Sequence, residues 1–99
     1  MTFSVVFRRA ARSEFDEAAL WYGERSPGLG AQFVVEIDRA IQLAAKDPLR
    51  CPVVLGDVRC IRARRFPYSV FYRAESQRVV VLAVFHASRD PRVWQQRVD

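Results

Sequence analysis

A chain of 99 residues and 11.4 kDa has room for one hydrophobic core, so residues 1–99 read as a single domain. With 51% hydrophobic and 27% charged residues it lies far from the composition of disordered chains, and no apolar run approaches the roughly 20 residues that span a membrane. The net charge of +5 rests on 16 basic residues, all arginine except Lys46, a bias toward the planar fork that suits phosphate and carboxylate.

The start Met1-Thr2-Phe3-Ser4-Val5 lacks the basic region and apolar stretch of a secretion signal, so a cytoplasmic protein with no membrane partner is expected. Phe3 to Phe7 is rich in β-formers and predicts a short opening strand. From Ala10 to Arg25 the period changes: Ala11, Phe15, Ala18, Ala19 and Tyr22 recur at three- and four-residue steps, the stripe of an amphipathic helix. Ser13 with Asp16 is one candidate cap for it, and an earlier start is the other. Ser26-Pro27-Gly28-Leu29-Gly30 breaks the pattern. A second helix, about Gly30 to Lys46, aligns Phe33, Ile37, Ala40, Ile41 and Ala44 on one face, and Asp47-Pro48 ends it because a residue before proline is pushed out of the helical region.

Leu49 to Asp57, with Pro52 and Gly56, reads as a loop. Strands are then expected over Val58–Arg65, Tyr68–Arg73 and Arg78–His86, the last two joined across the hairpin-length Ala74-Glu75-Ser76-Gln77. Val79 to Phe85 is apolar without alternation, which marks a central strand covered on both faces. Asp90 as cap and Pro91 at the first position predict a short C-terminal helix, with Val93 and Trp94 as its apolar residues. The order is β-α-α-β-β-β followed by a helix or turn. It predicts an α+β fold, a two-layer sandwich with a helical hairpin on a mainly antiparallel sheet.

Residues 1–49 hold six basic and seven acidic side chains, whereas residues 50–99 hold ten and four. The second half therefore carries the attraction for an acidic protein or a polyanion. Alternation along the first of the three strands turns Ile61 and Ala63 toward the helices and Cys60, Arg62 and Arg64 away. Two readings of Arg62 and Arg64 stand side by side: they grip phosphates or an acidic partner, or they protect an edge from aggregation. His86 ends the apolar strand beside Arg89, where an imidazole serves as a general base or as a hydrogen-bonding fixture of the strand end. Cys51 and Cys60 have no zinc-ligand spacing with the single His86 and read as free thiols. No metal site, phosphate-binding glycine loop or Ser-His-Asp set is present in the sequence.

Several stretches, taken in order, are similar to a known family: Glu17-Ala18-Ala19-Leu20-Trp21-Tyr22, Pro27-Gly28-Leu29-Gly30-Ala31-Gln32-Phe33, Asp47-Pro48, Arg65-Phe66-Pro67-Tyr68-Ser69-Val70-Phe71-Tyr72-Arg73, and Val84-Phe85-His86-Ala87-Ser88-Arg89-Asp90-Pro91 before Trp94 and Arg97. The chain resembles the ParE/RelE superfamily of type II toxin-antitoxin toxins. The resemblance implies a helical hairpin on a curved antiparallel sheet, and a toxin wrapped by a cognate antitoxin in a hetero-oligomer, as in plasmid stabilisation systems. It implies one of two targets: ParE-like members inhibit DNA gyrase without chemistry of their own, and RelE-like members cut messenger RNA in the ribosome. RelE-like members place an arginine just after the residue that opens the third strand, and Ser69 follows Tyr68 here. The ParE-like branch is therefore expected, with Arg89, Arg92 and Arg97 meeting the target and Arg62 and Arg64 meeting the antitoxin. The alternative is an endoribonuclease using Arg62, Arg64, His86 and Arg89, and a further one is a non-toxic interaction module. None of these readings needs a cofactor.

Overall fold

The computed structural model describes residues 2–98; Met1 and Asp99 lie outside the described residues. Strand β1 (Ser4–Phe7) leads into α1 (Arg9–Arg25) and α2 (Leu29–Lys46), then β2 (Val53–Leu55), β3 (Val58–Arg62), β4 (Tyr68–Glu75), β5 (Arg78–His86) and the short helix α3 (Arg92–Gln95). The strands form one sheet in the order β1-β5-β4-β3-β2. Among the described residues only the β1–β5 pair is parallel. The α+β sandwich expected from periodicity is the one found, with the α1–α2 hairpin on one face and α3 on the other.

The main departures from expectation each have a local reason. Helix α1 begins at Arg9, behind an extended Arg8 that makes no side-chain cap bond; Ser13 and Asp16 are therefore interior residues, and Asp16 instead pairs with Arg12 at 3.4 Å. Inside the expected loop 49–57, Val53–Leu55 forms a short edge strand on β3. Strand β3 stops at Arg62, short of Arg65, whose backbone adopts φ 71°, a left-handed conformation that ends extended structure. Strand β4 runs on to Glu75, which pairs with Arg78 across the turn.

The hairpin is tight because of one glycine. A β-carbon on Gly30 would lie 2.5 Å from the Ala19 carbonyl oxygen, so only hydrogen at that position lets the two helices touch. Below them Phe15, Phe33, Ile37, Ile41, Val70, Tyr72, Val79, Val81 and Val84 form the main core. A smaller core lies under the C-terminal segment: Val58, Val80, Leu82, Ala83, Phe85 and Trp94. Trp94 is 4% exposed and stacks on Phe71 with centroids 4.0 Å apart, while Val93 stays exposed.

Strand β5 serves both cores through a bulge. Tyr72 faces Val81 and Phe71 faces Ala83, so Leu82 is an extra residue on the β5 side. Leu82 and Ala83 thus both belong to the smaller core, and Val84 returns to the hairpin side. Among the described residues no helix is long and apolar enough to cross a membrane.

Candidate functional site

The region of interest begins where β1 ends. Parallel pairing stops at Phe7 opposite Val81, and the Arg8 N–H closes it on the Val81 carbonyl at 2.9 Å. From there the chain turns into α1, leaving the last part of β5 with an open edge. Between that edge and α1 lies a cleft of about 330 Å³ lined by Glu14, Glu17, Ala18, Trp21, Tyr22, Tyr68, Val84, His86 and Arg89. Trp21, Tyr22 and Tyr68 give it aromatic walls, and Glu14, Glu17 and Arg89 bring both signs of charge to it.

At one end of the cleft, four donors meet a single carboxylate. Arg97 holds Glu14 bidentately, Nη1 to Oε1 at 3.0 Å and Nη2 to Oε2 at 2.8 Å. Arg89 Nη1 donates to Oε2 at 2.7 Å, and the Val84 N–H donates to Oε1 at 3.0 Å. The same Arg97 nitrogen reaches the Leu82 carbonyl at 3.0 Å. The Glu14 side chain is only 11% exposed. Burial alone would raise its pKa, but the hydrogen bonds from Arg97, Arg89 and Val84, with the Arg97 charge, outweigh it and hold the carboxyl below its ordinary value. Arg89 also lies over the Phe85 ring, 4.3 Å from its centroid, in cation–π geometry.

His86 sits opposite Tyr68 with the rings edge to face at 5.1 Å. Its Nδ1 accepts the Ser88 N–H at 3.0 Å. The Ser88 hydroxyl oxygen lies 2.8 Å from the same ring nitrogen. Arg92 is 79% exposed at its side chain and forks onto Asp90, with its closest contact at 2.7 Å. The Asp90 carboxylate also accepts the Arg92 N–H at 3.0 Å, but the N-cap of α3 is Pro91, which makes no side-chain cap bond, so the expected cap and first position each lie one residue later than Asp90 and Pro91.

Arg62 and Arg64 are elsewhere. Arg62 pairs across the sheet with Ser69 and both guanidinia are exposed. Among the described residues neither one makes a side-chain hydrogen bond or ion pair, and neither lines the cleft. The structure thus brings His86 and Arg89 together and leaves Arg62 and Arg64 apart from them. Cys51 and Cys60 are free thiols, and no cluster of three metal-ligating side chains occurs among the described residues.

Sequence reasoning missed Glu14, Trp21 and Tyr22 as parts of the site. A signal for Glu14 exists. It falls three residues after Ala11 and four before Ala18, inside the buried stripe of α1, and a carboxylate there requires a partner. The partners, 75 and 83 residues away, have no local signature.

Two comparisons place the chain among known proteins. In solved structures it is similar to a chain of the chromosomal ParDE toxin-antitoxin system of P. aeruginosa, with 18% identity, 88% of this chain and 98% of that one covered, and a TM-score of 0.76. It is also similar to a chain of the RelBE2 toxin-antitoxin complex of Mycobacterium tuberculosis, with 23% identity, 87% and 99% covered, and a TM-score of 0.59. At such identities these likenesses show a shared fold. A search of curated proteins finds no match. The model of the ParE toxin of the type II toxin-antitoxin system parDE matches residues 5–91, and the chain belongs to this ParE toxin family.

Proposed function

We propose that this protein is a cytoplasmic toxin, neutralised in a hetero-oligomer by a cognate antitoxin encoded with it, as in plasmid stabilisation systems, and that it arrests growth by binding DNA gyrase. The family match over residues 5–91 carries the reading. Binding rather than chemistry is supported by the surroundings of the candidate catalytic groups. Inline attack on a phosphodiester needs a cation at the phosphate and a group to move a proton. Ser69 holds the position after Tyr68 where RelE-like members place an arginine, and His86 Nδ1 is occupied by the Ser88 N–H.

The target surface is the C-terminal segment. Arg89 and Arg97 outnumber the one carboxylate they share, so the cluster keeps a positive surplus, and Arg92 extends it into solvent. Arg62 and Arg64, exposed and without an ion-pair partner among the described residues, suit acidic side chains of the antitoxin. The convergence of His86 and Arg89 on one cleft favours a second reading, the ribosome-dependent endoribonuclease. Induction without antitoxin, followed by parallel assays of gyrase supercoiling and of transcript cleavage, separates the two. Loss of supercoiling with intact transcripts is expected; cuts in ribosome-bound messages would transfer the assignment to the nuclease.

A further inference from the structure

The open edge of β5 is closed by side chains. Beyond Val81 the strand has no neighbouring strand on the β1 side among the described residues, yet a Leu82 carbonyl and a Val84 N–H are presented there. Arg97 gives the carbonyl a donor and Glu14 gives the N–H an acceptor, each at 3.0 Å. An ion-paired glutamate and arginine thus stand in for the peptide groups that a longer β1 would have supplied. Because Arg97 comes from the end of the chain and Glu14 from α1, closing the edge also ties the C-terminal segment to the hairpin.

We propose that Glu14 is the positioning residue for residues 87–98, fixing through Arg97 and Arg89 the arrangement in which Arg92 is presented. The contacts are asymmetric. Loss of Arg89 leaves the bidentate Arg97 pair standing. Loss of the Glu14 carboxylate leaves two guanidinia facing each other, with the Val84 N–H without its acceptor. Trp94 on Phe71 and Val98 against the smaller core hold the segment by packing, but among the described residues the Arg97 side chain itself is bonded only by Glu14 and the Leu82 carbonyl. The functional consequence rests on the target-binding reading above; the positional one does not.

The test uses the full chain and Glu14→Gln, which keeps the shape and removes the charge. Trypsin cleavage after Arg92, and hydrogen exchange of the Gln95 to Val98 amides, should each rise by about tenfold or more, while the β5 amides at Val79 and Val81 keep their protection. In an Arg97→Gln background the Glu14→Gln change should add less than about twofold, because the two act as one unit. Arg97→Lys keeps the charge but loses the fork, and should give an intermediate release in a chain that still folds. Unchanged cleavage in Glu14→Gln, or a rise shared equally by the core amides, would overturn the proposal. Growth arrest on induction is read separately. If the wild type does not arrest growth, the target reading fails while the protection data still decide the role of Glu14.

Discussion

Two pairs of arginines, Arg62 with Arg64 and Arg89 with Arg97, have the same chemistry and opposite circumstances. The first pair stands at the end of β3 and just past it, with no partner among the described residues; the second converges on a carboxylate that is 11% exposed. What differs is desolvation. An exposed guanidinium is screened by water and contributes little to folding, whereas a buried carboxylate requires its cations in place. An arginine count therefore says nothing about which arginines are free to bind.

The contrast can be broken most severely at its scaffold. Trp94→Ala removes a ring that is 4% exposed and should cost about 3 kcal/mol or more, read as a shift of the urea midpoint. Next comes Glu14→Ala, expected to cost about 3 kcal/mol and to lower the melting temperature by roughly 12–24 °C. A smaller effect is expected from acid. The Glu14 pKa is lower folded than unfolded, so its stabilisation is complete above the unfolded value of about 4.3 and is lost as pH falls through the folded value. Urea midpoints of the wild type and Glu14→Gln should therefore converge as the pH is lowered from 7 to 3; a constant gap would remove the carboxylate's charge from the account. Smallest in stability are Arg62→Ala and Arg64→Ala, within about 0.5 kcal/mol of wild type. Those two should instead weaken antitoxin binding in a salt-dependent way, measured by calorimetry at two ionic strengths.

How far the sequence could be read follows from the range of the forces involved. The hairpin was legible because Phe33, Ile37, Ala40 and Ile41 repeat within one helix, and β5 because Val79 to Phe85 is apolar throughout. Strand β2 was not, since Val53, Val54 and Leu55 are all exposed and the flanking Pro52 and Gly56 announce a loop. The candidate arginines could be named from composition and the family likeness, but their pairing could not. Glu14 meets Arg89 and Arg97 only after β5 has been placed between α1 and the chain end, a product of topology with no periodicity to betray it.

The extra residue in β5 has a consequence for sequence length. Deleting Leu82 would leave Tyr72 against Val81 and Phe71 against Ala83, and would keep Val84 and Phe85 on their present sides. The ladder would close up as an ordinary antiparallel pair. What would vanish is a leucine from the smaller core and the sideways carbonyl that Arg97 finds. The sheet can spare the residue; the tail cannot, because Leu82 works as an address rather than as a rung. Amide exchange on such a deletion should therefore show β4 and β5 still protected around a loosened C-terminus.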